Sequence, residues 1–138
     1  MSATGTAREA KRKDGELISY KMSNVAIPKG ALVNINTSGY AVNASDTQYE
    51  TFAGVAYETV DNSGGQAGDL EIRVQTTGSF VFVDGGGNGA ITDVGVQFNI
   101  VDNQTITDAS TSYTLKAGAC VESLGANTTR IRIDRFAS

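Results

Sequence analysis

The side chains that most often carry chemistry are scarce in this sequence. There is no histidine, which excludes histidine-based triads, imidazole metal ligation and imidazole acid–base work. The one cysteine, Cys120, has no histidine to activate it. Its neighbours Ala119 and Val121 suit a buried small hydrophobe. A lone cysteine also excludes a zinc ribbon. Carboxylates remain, and a pair of them could serve glycoside hydrolysis. The candidates are Asp61, Asp69, Asp84, Asp93, Asp102 and Asp108, and each stands beside Gly, Asn or Thr, the context of a turn-forming aspartate. Asp61-Asn62-Ser63-Gly64 and Asp102-Asn103 open like calcium loops but lack the full ligand spacing and the closing glutamate. The run from Asp84 to Gly89 invites a phosphate-loop reading. No Gly-Lys-Ser/Thr follows it, and no helical pattern opens behind it. A mobile connection is the expectation there. No catalytic residue, cofactor site or metal site is expected.

The elements that would position any site are strands. Glycine is frequent at 16 residues, proline occurs once, and Thr, Asn, Ser and Val are plentiful, a mix that favours short strands and Asx turns. Leu70, Ile72 and Val74 alternate with Glu71, Arg73 and Gln75, the period of a half-buried strand. Thr77-Gly78 reads as a tight turn, so Leu70–Asp84 is expected to form a hairpin. Its return arm, Phe80-Val81-Phe82-Val83, is apolar on both faces. That arm requires the core on one side and another sheet, an arm or a partner chain on the other. Further strands are expected at 16–22, 31–35, 40–42, 52–58, 96–101, 104–107, 117–122 and 129–135, with Ile27–Gly30 and Asn36–Gly39 as turns and Asp61–Asp69 as a flexible loop.

The two halves of the chain resemble each other. Asn34-Ile35 and Ala44-Ser45 recur 65 residues on, as Asn99-Ile100 and Ala109-Ser110. Ala53-Gly54 with Glu58 recurs 64 residues on, as Ala117-Gly118 with Glu122. Each half ends in a charged alternating strand, Glu71–Val74 in one and Arg130–Ile133 in the other. The expectation is two β units, 28–83 and 93–135, packed into one sandwich or closed barrel. The Phe80–Val83 arm then lies at their junction, as a buried seam or as an oligomer contact.

The length of 138 residues suits one domain. The net charge of −4 hides an asymmetry. Residues 1–15 hold Arg8, Lys11, Arg12 and Lys13 against Glu9 and Asp14, or +2; the remaining seven basic and thirteen acidic residues leave −6. A basic N-terminal arm (1–15) thus precedes a single acidic β domain (16–138). The acidic body argues against nucleic acid as a partner. No apolar run approaches the roughly 20 residues that span a bilayer, and the N-terminus lacks the apolar stretch of a secretory signal. A protein made in a reducing compartment, with no membrane partner, is expected. Four Asn-x-Ser/Thr sequons, at Asn36, Asn43, Asn103 and Asn127, carry little weight without a secretory route.

Two stretches resemble a known family. Phe52-Ala-Gly-Val-Ala-Tyr-Glu-Thr-Val-Asp-Asn-Ser-Gly-Gly-Gln-Ala-Gly-Asp-Leu-Glu-Ile-Arg-Val-Gln-Thr-Thr-Gly-Ser-Phe80 is similar to the central signature of tailed-bacteriophage head decoration proteins, also called capsid cement proteins. Thr92–Thr107 and Ala117–Asp134 are similar to the second half of their pattern. The resemblance covers roughly residues 28 to 135 and leaves the basic arm out. It implies a non-enzymatic virion protein on the outer surface of the assembled capsid, made in the host cytoplasm. It would act as a homo-oligomer, dimer or trimer, bridging neighbouring copies of the major capsid protein. The fold expected is an all-β, antiparallel sandwich or barrel, jelly-roll-like or β-tulip, with an extended N-terminal arm. The contact residues expected are Arg8, Lys11, Arg12 and Lys13 on the arm and Phe80 and Phe82 on the body. The alternative from another class is a carbohydrate-binding β module on a fibre or surface.

Overall fold

The computed structural model describes residues 16–85, 93–125 and 127–134. Among the described residues the chain is all-β, with twelve strands. They are β1 (Leu17–Lys21), β2 (Ala26–Ile27), β3 (Leu32–Ile35), β4 (Ala41–Asn43), β5 (Thr51–Ala56), β6 (Val60–Asp61), β7 (Glu71–Gln75), β8 (Thr77–Asp84), β9 (Gln97–Ile100), β10 (Thr105–Thr107), β11 (Lys116–Ser123) and β12 (Thr128–Asp134). Five strands form a sheet in the order β1-β7-β5-β3-β4, five more close a barrel through β8-β12-β11-β9-β10, and β2 pairs with β6 as a small separate ribbon.

These two orders are the same order. β1 stands to β7 as β8 stands to β12, both antiparallel. The barrel closes because β10 runs parallel to β8 at Val83 and Asp84. The first sheet all but closes in the same way, through a single parallel bridge between Met22 and Ala41. The amide of Ser23 donates to the Ala41 carbonyl at 3.0 Å, and that of Gly85 donates to Ile106 at 2.7 Å, at matching places. The internal repeat is therefore a repeat of structure, and hydrogen bonding draws its units at 17–75 and 77–134. The units expected at 28–83 and 93–135 shift because β1 belongs with the first sheet and β8 with the barrel.

The hairpin expected over Leu70–Asp84 does not form. Only Thr76 separates β7 from β8, and the two strands enter different sheets. Gly78 is not a turn residue; it lies within β8 opposite Ile133. The Phe80 ring passes 3.3 Å from where a Cβ on Gly78 would sit, so the glycine makes room for an aromatic ring.

The repeated Ala-Gly pair has a mechanical role. Ala53 is the extra residue of a bulge between β3 and β5, and Ala117 is its counterpart between β9 and β11. The next residue in each case presses against a neighbouring strand. A Cβ on Gly54 would stand 2.1 Å from the Gln75 carbonyl oxygen, and one on Gly118 would stand 2.1 Å from that of Arg132. Bulge and glycine together bend the strand sharply enough to wrap the sheet.

Two cores result. Met22, Ile27, Val33, Ala53, Ile72 and Val74 fill the first unit. Phe82, Phe98, Ile100, Ile106, Ile131 and Ile133 fill the second, where Leu32, Ala44, Phe52 and Val55 of the first unit join them. The units thus share buried surface. Polar links reinforce the joint: the Leu32 amide donates to the Asn103 carbonyl at 2.8 Å, and Asn103 Nδ2 donates to Asn43 Oδ1 at 3.0 Å.

The bulge geometry predicts that Gly118→Ala and Gly54→Ala are each strongly destabilising, by about 3 kcal/mol, because backbone must move to admit one methyl group. Chemical denaturation of each variant checks this, with Gly64→Ala as a control at a turn with open space around its Cα and no left-handed backbone.

Candidate contact surface

β8 carries the body residues expected to make contacts. Its register against β12 sets Phe80 opposite Ile131 and Phe82 opposite Thr129. Both rings point into the barrel, 6.5 Å apart and tilted by 43°. Phe82 is buried in the second core, whereas Phe80 is half-buried at its rim. The intervening side chains point outward: Val81 is 43% exposed and Val83 is 42% exposed. The doubly apolar arm therefore has one face in the core and one face bare among the described residues. The arm residues Arg8, Lys11, Arg12 and Lys13 lie outside the described residues.

The outer face of the barrel continues this surface. Val81 lies opposite Arg130 on β12, and Arg130 lies opposite Glu122 on β11. Val121, the bulged residue beside Glu122, is also exposed. Arg130 Nε donates to Glu122 Oε1 at 3.0 Å. On the first unit Arg73 makes the matching pair. Its Nε and Nη2 donate to the two carboxylate oxygens of Glu58, each at 3.1 Å, and its guanidinium stacks 5.0 Å above the Tyr57 ring. The Arg73 hydrogen bonds hold the Glu58 carboxyl below the usual glutamate range.

Asp61, Asp69 and Asp102 behave as turn residues, whereas Asp84, expected in the same context, is a buried residue of β8. Asp61 Oδ1 accepts from the Ser63 amide at 2.9 Å, and the Ser63 hydroxyl and amide bonds lower its pKa. Asp69 caps the Gln66 amide, and Asp102 caps Gln104 and Thr105. The loop after Asp61 is folded around buried Asn62, whose Nδ2 donates to the Ser23 and Gln66 carbonyls at 3.0 Å each; the expectation of a flexible loop did not foresee this anchor. Asp84 is buried in the barrel, where Thr129 Oγ1 donates to it at 3.3 Å. Gly86 to Gly89 of the glycine run lie outside the described residues. Cys120 is buried, and burial pushes its thiol pKa up, which makes it a poor nucleophile.

Three positions carry structural weight that sequence reading passed over. Asp46 accepts from the Ser112 and Tyr113 amides at 2.9 and 3.1 Å, tying a loop of one unit to the equivalent loop of the other. Asn34 and Asn99, noted only as repeat markers, are buried, and each donates to a loop carbonyl, that of Ser45 at 3.1 Å and that of Ala109 at 2.9 Å. Polar residues inside an apolar strand were the available signal.

No group of three or more His, Cys, Asp or Glu side chains among the described residues is placed to hold a metal ion. An open groove of about 270 Å³ lies where the units meet, lined by Pro28–Ala31, Asn103 and Gln104. It falls below the size of ordinary small-molecule sites, about 300–1,000 Å³. No helix among the described residues is long and apolar enough to cross a membrane. Comparison with family models, with curated proteins and with solved structures finds no match to this chain. The described outer face of the barrel is apolar on β8 and flanked by the Arg130–Glu122 pair.

Two outcomes follow. Phe82→Ala should cost roughly 3–5 kcal/mol and Phe80→Ala clearly less, because only Phe82 is fully enclosed; urea titration separates them. The Glu58–Arg73 pair stabilises the fold only while Glu58 is ionised. Its pKa is depressed in the folded state, so the contribution is present at neutral pH and is lost as pH falls through the folded value. The difference in melting temperature between wild type and Glu58→Gln should therefore shrink towards zero in acid.

Proposed function

We propose that this chain is a structural virion protein that binds the outer surface of an assembled phage capsid and cements neighbouring major capsid proteins. The observation that carries the reading is the resemblance of Phe52–Phe80 to the central signature of head decoration proteins. That segment builds β5, β6 and β7 and leads into β8, so it covers the later part of the first unit and the passage into the second. The physical logic is mass action. A ligand that binds only the assembled lattice stabilises that lattice, and modest contacts repeated by symmetry add through avidity. The body supplies an outward valine face on β8, and the arm supplies four basic residues, Arg8, Lys11, Arg12 and Lys13, to meet acidic surface on a neighbour. The protein works without catalysis or cofactor, as a homo-oligomer on the capsid exterior after synthesis in the host cytoplasm.

A second reading, a carbohydrate-binding module, draws on two exposed tyrosines. Tyr49 is 77% exposed and Tyr113 is 45% exposed, and they stand on the equivalent loops that Asp46 ties together. Exposed aromatic rings are what sugar recognition uses, and five tyrosines with no tryptophan are a thin supply of them. The capsid reading is therefore preferred.

Co-sedimentation with empty capsid shells tests it. Full-length protein should pellet with shells and not with unassembled capsid subunits. Deleting residues 1–13 should weaken attachment at least about tenfold while leaving the melting temperature of the body unchanged. Unchanged attachment of the deletion variant removes the arm from the proposal. Failure of the full-length protein to pellet, with binding on a glycan array, selects the second reading.

A further inference from the structure

Strand β8 is long, and only part of it has neighbours on both sides. The amide of Asp84 donates to Asn127 at 2.7 Å, which makes Asp84/Asn127 a hydrogen-bonded antiparallel pair. Pairing alternates along the strand, so Phe82, Phe80 and Gly78 exchange bonds with β12 while Val83, Val81 and Ser79 point their amides the other way. Val83 spends its amide on the Gln104 carbonyl at 3.1 Å. Beyond it β10 has ended, since its ladder reaches only Val83 and Asp84. Ser79 and Val81 thus aim their amide and carbonyl groups at an edge that no described strand covers. Both residues are exposed.

Such edges are commonly blunted by charge, proline or brevity. The equivalent strand of the first unit follows this rule: Glu16 precedes β1 and Lys21 ends it. β8 does not. Thr77 to Val83 contains no charge and no proline, and it includes two phenylalanines and two valines. This is an edge composed for pairing.

We propose that the free edge of β8 pairs with the same edge of a second copy, antiparallel, about a two-fold axis at Phe80. In that register Ser79 meets Val81 of the second copy and Val81 meets Ser79, so all four outward amides and carbonyls of these residues are used in two reciprocal pairs. Phe80, half-buried in one copy, stands opposite itself in the close, non-hydrogen-bonded position, where aromatic side chains touch. No like charges are opposed, because the segment has none. A short two-stranded contact buries less than a standard interface, so the dimer is weak and concentration-dependent. The inference concerns the free protein and does not rest on the capsid reading; association without capsid binding, or the reverse, would tell the two apart.

Sedimentation velocity over a concentration series should show wild type moving from monomer towards dimer. Ser79→Pro removes one edge donor that the barrel does not use, and Val81→Lys places a charge on the edge; each should weaken association at least about tenfold. Thermal melting reports whether each stays folded, and Val81→Lys carries the test if the proline variant does not. Register is read by cross-linking. Ser79→Cys and Val81→Cys, mixed and oxidised, bring their Cα atoms to about 5.5 Å across the pair, within disulfide reach. Two copies of Ser79→Cys alone hold theirs roughly 8 Å apart, beyond it. Covalent dimer in the mixture and not in either variant alone supports the proposal; Cys120 is buried and stays out of the reaction. A strictly monomeric wild type, association unaffected by both edge variants, or equal cross-linking of Ser79→Cys alone overturns it.

Discussion

The fold depends on two points where a strand presses its backbone against a neighbour. At Gly54 and Gly118 a carbonyl oxygen occupies the space a side chain would need. The bulged alanine before each glycine adds one residue to its strand and forces the bend. Without that bend five short strands would lie as an open sheet with one face bare. With it the strand order β8-β12-β11-β9-β10 returns to its start, and the apolar side chains on the concave face enclose one another. Small residues at these positions are therefore a requirement of the bend, which closes the second unit and curls the first to within a single bridge of closure.

Duplication then creates a second problem, because two similar units must present different outer faces. The solution is visible at equivalent positions on the outer side of the sheet. Leu32 is buried in the shared core, while its counterpart Gln97 is exposed; Phe52 is buried there, while its counterpart Lys116 is exposed. The first unit is apolar where it leans on the second. The second is polar at the same place, so the contact ends after one step instead of propagating from chain to chain. The interiors diverge as well. Met22 and Ile72 of the first unit stand where the second has Asp84 and Thr129, a buried pair joined by a hydrogen bond, which lowers the cost of placing polar groups inside.

Much of this was legible in the residues and some was not. The repeat could be read because Asn34, Ala53-Gly54 and Glu58 recur 65 or 64 residues on, and each proves to do one mechanical task twice. Strand positions followed from alternation, as at Glu71–Gln75. The false hairpin came from giving Thr77-Gly78 its local meaning. A glycine beside a threonine signals a turn only if the flanking strands pair, and here Ile131 and Val74 draw the two strands into different sheets. Asp46 was invisible for a related reason: its partners lie 66 and 67 residues away, and nothing local distinguishes it from any loop aspartate. Contacts between units are settled by how the barrels dock, and periodicity within one strand carries no information about that.

The repeat also helps to separate what the fold needs from what the surface is for. Outward positions of β8 and β1 are equivalent, so the barrel geometry asks the same of both. β1 answers with Ser19 and Lys21, β8 with Val81 and Val83, each exposed. A polar residue is plainly compatible with those places, since one unit uses it. Leaving two valines in water gains the fold nothing, because the hydrophobic effect acts only on area removed from solvent. Their stabilising value can be realised only when another surface covers them. Among the described residues nothing does. The comparison is internal to the molecule: at equivalent outward positions one unit carries a polar pair and the other an apolar pair, though the fold makes the same demand of both.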